Sequence, residues 1–220
     1  GGIIISCQAR PEDPTYGPEF MAAFARIVSN ILAPLFKSGS YADVAAIKKA
    51  TGLPIIGIWK RPCTDGLGHI ITPTVEDAHL LKEAGADIIA ADVTDRPRPG
   101  GLDAVTLIKR IPTGVDILLM ADCHSLPDAI RAQEAGADIA ATTLAFPPEL
   151  GPYEPNLKLL KEMIAALHVP VIGEGRYWDP RDVERAFDAG VWALVIGSVV
   201  TRPWMITERY VAASPRGQQA

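Results

Sequence analysis

Short apolar runs alternate with longer segments of helical period along the whole chain. Gly2-Ile3-Ile4-Ile5-Ser6, Pro54-Ile55-Ile56-Gly57-Ile58-Trp59, Ile117-Leu118-Leu119-Met120-Ala121, Val169-Pro170-Val171-Ile172-Gly173 and Ala193-Leu194-Val195-Ile196 are too short for helices. Their nearly continuous apolar character is that of strands buried on both faces, as in a parallel sheet. The pattern predicts strands at about 2–7, 32–37, 54–59, 87–91, 116–120, 138–141, 169–173 and 191–196. Helices are predicted at about 18–31, 41–51, 75–85, 102–110, 126–135, 155–167, 180–189 and 203–212. Thr74, Ser125 and Asp179-Pro180 stand at three of the helix starts as capping residues. Glu83-Ala84-Gly85-Ala86-Asp87-Ile88 recurs as Glu134-Ala135-Gly136-Ala137-Asp138-Ile139 and, loosely, as Asp188-Ala189-Gly190-Val191-Trp192-Ala193, at offsets of about fifty residues. Each copy reads as a helix end, a left-handed glycine and entry into a strand, and the offset spans two βα units. Eight such units predict an α/β fold, a single-domain (β/α)8 TIM barrel over residues 1–212, with a small, polar tail, 213–220, expected to be disordered. The second unit fits least well, because Pro34 falls in the middle of its strand and cannot donate to a central ladder.

Composition narrows the function classes. The 220 residues are 48% hydrophobic, enough for an ordinary core, and the net charge of −5 provides no basic face for a nucleic-acid partner. No apolar run approaches a membrane span, and the chain opens on a strand without a secretory leader, so a cytoplasmic protein without membrane contact is expected. Cys7, Cys63 and Cys123 are odd in number, lie at or just beyond apolar runs, and read as reduced thiols. They and His69 and His124 lack metal-ligand spacing, so no metal is expected.

In a parallel barrel the C-terminal strand ends carry the chemistry. Here those ends are Gln8, Lys60, Asp92, Asp122, Thr142, Thr143, Glu174 and Ser198. Desolvation at such a place lowers a lysine pKa toward neutrality, making Lys60 a candidate proton acceptor or imine former; a solvent-facing lysine paired with Asp65 is the alternative. Glu174, between Gly173 and Gly175, is a candidate acid or base, or else a salt-bridge partner of Arg176. Asp122 and Asp92 could orient hydroxyls, hold a lysine ammonium, or cap the loops that follow them. Gln8 offers an amide for an N-acetyl or hydroxyl group. The turns carrying Glu174 and Arg176, and Ser198 and Arg202, follow the seventh and eighth strands, where barrels of this type often hold phosphate on backbone N–H groups. Arg96 and Arg98 read as a solvated charged loop, and His69 and His124 as rim residues.

Several segments together resemble one family, the N-acetylmannosamine-6-phosphate 2-epimerases of bacterial sialic acid catabolism. They are Ile4-Ile5-Ser6-Cys7-Gln8-Ala9, Leu53 to Arg61, Ile71-Thr72-Pro73-Thr74, Ala86 to Gly100, Leu119-Met120-Ala121-Asp122, Thr142-Thr143-Leu144, Val171 to Arg176 and Gly197 to Pro203, in order from residue 3 to about 210. The resemblance implies a ribulose-phosphate-binding type of barrel that needs no cofactor, works as a homodimer and interconverts N-acetylmannosamine 6-phosphate and N-acetylglucosamine 6-phosphate. It implies that Lys60 removes and returns the C2 proton of the open-chain sugar while Glu174 assists ring opening, with the opposite division of roles left open. It further implies that Gln8, Asp122 and Thr143 belong to the sugar site, and Gly175, Arg176, Gly197, Ser198 and Arg202 to its phosphate end.

The chain departs from the family pattern at three places. Lys37 stands where a substrate-contacting arginine belongs, keeping the charge but losing the bidentate fork. Ala145-Phe146-Pro147-Pro148 replaces a Ser-Gly-Tyr-Thr loop, and the helix that usually precedes the first strand is missing, so a shortened N-terminus is expected. Two other readings fit the residues: a sugar-phosphate-binding barrel whose turnover is impaired by the changes at 27–40, and a phosphosugar aldolase in which Lys60 forms an imine.

Overall fold

A computed structural model of the protein describes residues 2–29, 35–63, 66 and 68–215. In chain order its elements are β1 (Ile3–Cys7), α1 (Pro18–Ser29), β2 (Leu35–Ser38), α2 (Tyr41–Thr51), β3 (Ile55–Gly57), β4 (Lys60–Pro62), β5 (His69–Ile71), α3 (Val75–Glu83), β6 (Ile88–Asp92) and α4 (Ala104–Val115). They continue with β7 (Leu118–Asp122), α5 (Leu126–Ala135), β8 (Ile139–Ala141), α6 (Leu157–Ala166), β9 (Val171–Glu174), α7 (Pro180–Asp188), β10 (Ala193–Ile196), α8 (Ser198–Thr201) and α9 (Pro203–Ala213). Eight of the strands, β1, β2, β3, β6, β7, β8, β9 and β10, pair in parallel and close on themselves as the predicted (β/α)8 barrel, with β10 returning to β1. The remaining two, β4 and β5, form an antiparallel hairpin after β3.

The period-two alternation of side chains along a strand divides the apolar residues between two cores. Ile4, Ile56, Ile58, Ala90, Met120, Ile139, Ala141, Ile172, Ala193 and Val195 fill the barrel's interior. Residues of opposite parity, such as Ile5, Phe36, Ile55, Ile89, Leu119 and Leu194, pack outward against the helices. Continuing the inner parity by one step on each strand reaches Ser6, Lys37, Lys60, Asp92, Asp122, Thr143, Glu174 and Gly197. The same alternation that buries the apolar layers therefore delivers the polar set to one end of the barrel.

Local signals behave as read. Thr74 and Ser125 accept the backbone N–H of the residue three ahead, Ser125 in a full capping box with Asp128, and Asp179 accepts from Arg181. The repeated glycines, Gly85, Gly136 and Gly190, all have positive φ.

Four differences are informative. The third strand ends at Gly57 rather than at residue 59, because the chain turns out of the barrel into the hairpin: Thr72 N–H donates to Trp59 O at 2.7 Å, and Trp59 N–H to Thr72 Oγ1 at 3.0 Å. The second strand begins at Leu35, after the proline, and pairs normally with β1 and β3; Pro34 itself lies outside the described residues. The fourth helix runs on through Pro112 to Val115, since its buried face, Leu107, Ile108, Ile111 and Val115, outweighs the one backbone bond that proline removes. The last helix reaches Ala213, one residue into the expected tail, whose residues 216–220 lie outside the described set. Among the described residues no helix is long and apolar enough to cross a membrane, and all three cysteines are buried and free.

Gly57 packs tightly against α3 and the turn that follows it: a Cβ there would lie 2.8 Å from the Ala86 Cβ and 3.4 Å from Leu81. Overpacking of this kind costs about 1–3 kcal/mol. Gly57→Ala should lower the urea-unfolding midpoint accordingly, and adding Ala86→Gly should recover most of the loss; an unchanged midpoint would contradict the close contact.

Candidate active site

The C-terminal mouth contains a buried charged cluster. Lys37, from β2, is wholly inaccessible to solvent, and so is Asp122, at the end of β7. The Lys37 ammonium donates to Asp122 Oδ1 at 2.9 Å, Asp122 Oδ2 at 3.1 Å and Glu174 Oε2 at 2.7 Å, and lies 3.4 Å from Thr143 Oγ1. Thr143 Oγ1 contacts both carboxyls, Asp122 Oδ1 and Glu174 Oε2. The neighbouring Thr142 clasps the Glu174 backbone, donating its hydroxyl to Glu174 O and accepting from Glu174 N–H, each at 3.0 Å. One threonine thus fixes the peptide of Glu174 and the next its side chain. Of the three charged side chains in the cluster Glu174 alone keeps measurable exposure, 13%, and it is the carboxylate a ligand can reach.

Desolvation works to lower the Lys37 pKa, but the charges of Asp122 and Glu174 and their hydrogen bonds outweigh it and raise it, so the ammonium is permanent. Desolvation, aided by the charge of Glu174, lifts Asp122 to about 6 against the opposing pull of Lys37 and Thr143.

Lys60 behaves in the opposite way. Its surface is open, yet it is recessed in the mouth, and desolvation followed by the field of Lys37 lowers its pKa to about 8, with Arg202 and Arg10 acting in the same sense and Glu174 opposing. It makes no side-chain hydrogen bond or ion pair among the described residues, and Asp65, its alternative partner, lies outside them. Arg61, of opposite parity, faces outward, stacked over Trp59 and paired with Asp77.

The turns at the opposite side follow β9 and β10. Gly175 has a φ of 103°, and a Cβ there would fall 2.5 Å from the Phe146 ring. Gly197 precedes α8, whose first N–H groups, including that of Ser198, have no intrahelical acceptor. A Cβ on Gly197 would crowd Ser6 at 3.2 Å, and Ser6 Oγ accepts the Gln8 amide at 2.8 Å.

Several side chains are engaged in ways the sequence did not announce. The Lys37 ammonium is spent on two carboxyls inside the barrel. Asp122 likewise lies beneath the accessible floor, holding Lys37. Glu174 pairs with Lys37 and not with Arg176, whose guanidinium sits 4.8 Å over the Phe146 ring and donates to Gly151 O at 3.0 Å. Arg176 therefore anchors the 145–151 loop, the segment in which the chain departs from the family pattern. Arg202 stays at the mouth, with one edge taken by Asp13, Nη2 to Oδ2 3.2 Å. Asp92 caps its loop by accepting the N–H and hydroxyl of Thr94, at 2.9 and 2.6 Å. Arg98 is buried rather than solvated, donating to Asp92 O and Thr94 O at 2.7 Å each. Sequence reasoning missed Arg10 and Asp13 of the β1–α1 loop, because nothing in a Pro- and acid-rich loop shows that it folds back onto Arg202. Among the described residues no three His, Cys, Asp or Glu side chains converge as a metal site.

Comparison with known proteins agrees with this geometry. The model of the family described as "Putative N-acetylmannosamine-6-phosphate epimerase" matches residues 21–215. Curated relatives named "Putative N-acetylmannosamine-6-phosphate 2-epimerase" include one from Caldanaerobacter subterraneus subsp. tengcongensis, 38% identical over 96% of this chain and 90% of its own length. Another, from Clostridioides difficile, is 39% identical over 97% and 96%. The solved N-acetylmannosamine-6-phosphate 2-epimerase from Clostridium perfringens superposes with a TM-score of 0.89 at 32% identity, covering 96% of this chain and 93% of that one. A thiamine phosphate pyrophosphorylase from Pyrococcus furiosus, 14% identical with a TM-score of 0.61 over 90% and 86%, shares the barrel alone. With a family model over most of its length and relatives near 40% identity end to end, the chain belongs to the N-acetylmannosamine-6-phosphate epimerase family.

Proposed function

We propose that the protein interconverts N-acetylmannosamine 6-phosphate and N-acetylglucosamine 6-phosphate by removing and returning the C2 proton, without a cofactor. The observation that carries this is Lys60: a mouth lysine with no ion-pair partner among the described residues, a pKa lowered to about 8, and Glu174 within electrostatic reach. The C2 hydrogen becomes acidic when the sugar ring opens, because the resulting carbanion delocalises into the C1 aldehyde as an enolate. A neutral amine can take that proton, and the ammonium it becomes can return it. Ring opening moves one proton off the anomeric hydroxyl and another onto the ring oxygen, a task suited to the accessible carboxyl of Glu174. Gln8 and Ser6 are assigned to the polar face toward the N-acetyl group.

Phosphate recognition falls to Arg202, Gly197, Ser198 and the backbone around Gly175, where helix N–H groups and a guanidinium edge converge. Arg176 contributes indirectly, by holding the 145–151 loop. A homodimer in the cytoplasm goes with this reading. Helix α9 buries none of its residues and exposes Tyr210 at 76%, an apolar face of the kind subunit contacts cover.

Incubation with N-acetylmannosamine 6-phosphate in deuterated water should give the gluco epimer labelled at C2; absence of both turnover and exchange would sink the assignment. Borohydride should trap nothing on Lys60, since enolisation without an imine leaves nothing to reduce. Because the base must be neutral, kcat/KM should rise with pH and level off above about 8. Lys60→Arg, which keeps the charge but cannot deprotonate, should lose about 10²–10⁴-fold in kcat. Arg202→Met should raise KM by about 10–100-fold, the worth of a charged hydrogen bond, with a smaller change in kcat. An unchanged KM would remove Arg202 from the phosphate site.

A further inference from the structure

Counting hydrogens in the buried cluster shows one too few. Five contacts of 3.1 Å or less join Lys37, Thr143, Asp122 and Glu174: three from the ammonium to carboxyl oxygens and two from the Thr143 hydroxyl, one to each carboxyl. An ammonium carries three N–H and a threonine one O–H. With both carboxyls ionised, one Thr143 contact is a bare oxygen-to-oxygen approach, which in a buried place is repulsive. The network is complete when the two carboxyls share one proton of their own. Whichever carboxyl holds it donates to Thr143 Oγ1, and Thr143 donates onward to the other.

We propose that Thr143 is a proton relay between Glu174 and Asp122, making Asp122 the proton store of the accessible carboxyl. A proton on Glu174 Oε2 passes to Thr143 Oγ1 as the original Thr143 hydroxyl proton passes to Asp122 Oδ1. The Oε2–H bond and the old Oγ1–H bond break, a new Oγ1–H bond and an Oδ1–H bond form, and the negative charge moves from Asp122 to Glu174. Lys37 donates to both carboxyls throughout and so stabilises either charge state. The groups facing the relay are Lys37 from β2, Glu174 from β9 and, through its field on Glu174, Lys60 from β4; Asp92, paired with Asp122 in the strand register, is turned to its own loop by Thr94. Glu174 can then accept a proton when the sugar ring opens and supply one when it closes without waiting for solvent. This role rests on the epimerase reading, whereas the shared proton itself does not.

Thr143→Val removes the hydroxyl at nearly constant volume, and Thr143→Ser restores it. The valine variant should lose about 10²-fold in kcat, with KM within about threefold and an altered acidic limb of the pH profile, while serine should recover to within about fivefold of wild type. A valine variant within about threefold of wild type, or a serine variant as impaired as valine, overturns the relay. ¹³C-carboxyl titration of the free protein tests the shared proton without activity. The Asp122 carboxyl carbon should titrate near pH 6 in the wild type and at a displaced pH in Thr143→Val, where the hydroxyl between the carboxyls is gone; superimposable Asp122 curves in the two proteins overturn it. A wild type with no C2 exchange in which the Asp122 titration still depends on the Thr143 hydroxyl would reject the epimerase reading and retain the relay.

Discussion

A single buried ammonium, that of Lys37, balances the two carboxyls that meet inside the barrel. Taking one carboxylate out of water costs several kcal/mol, and placing two side by side adds their repulsion. Removal of one partner from a buried pair typically costs about 3–5 kcal/mol. The position of Glu174 therefore depends on a residue 137 positions away in the chain. It also depends on register: β2 must enter the sheet so that residue 37 points inward and Phe36 outward, and a slip of one would exchange them. The Thr142 clasp on the Glu174 backbone and the Thr143 contact on its side chain complete a mount in which only one face of the carboxyl is open.

Two lysines of the same site illustrate how environment decides chemistry. Lys37 is held charged because two carboxyls, Asp122 and Glu174, offset its desolvation. Lys60 is desolvated, has no ion-pair partner among the described residues and stands in the field of Lys37, Arg202 and Arg10, so its charged form is disfavoured. The first lysine contributes to the condition of the second: the fixed ammonium lowers the pKa of the recessed amine. Structural charge balance and proton chemistry are in this sense one arrangement, and a change at residue 37 acts on Lys60 as well as on the carboxyls.

Much of the barrel was legible in the apolar runs and glycine-bearing repeats because each βα unit repeats the same burial pattern and the same turn. Period-two alternation also made the strand-end residues legible, since Asp122, Glu174, Thr143 and Lys60 follow inner apolar positions by two. What could not be read was pairing between residues distant in sequence. Lys37 read as a weakened replacement at a ligand contact, and nothing local indicates that its ammonium closes on Asp122, 85 residues on. Arg98 looked solvated because its partners are backbone carbonyls, which no motif announces. The hairpin β4–β5 was hidden because three-residue strands carry too little pattern to register.

The lysine at position 37 also fits the geometry better than an arginine directed at the same three groups. An ammonium presents three donors on a tetrahedron and can address oxygens that converge from β7, β8 and β9 on a single point. A guanidinium directs its donors in a plane and matches one carboxylate or one phosphate edge. With lysine in place, the charge at this position is consumed within the protein, and in the proposed reaction the phosphate is left to Arg202 and the α8 N–H groups. Asp13 pairs with one edge of Arg202, so its guanidinium is already oriented by a carboxylate within the protein. The proposed anion end is still linked to proton handling, because the charge of Arg202 is among those that lower the Lys60 pKa after desolvation and Lys37.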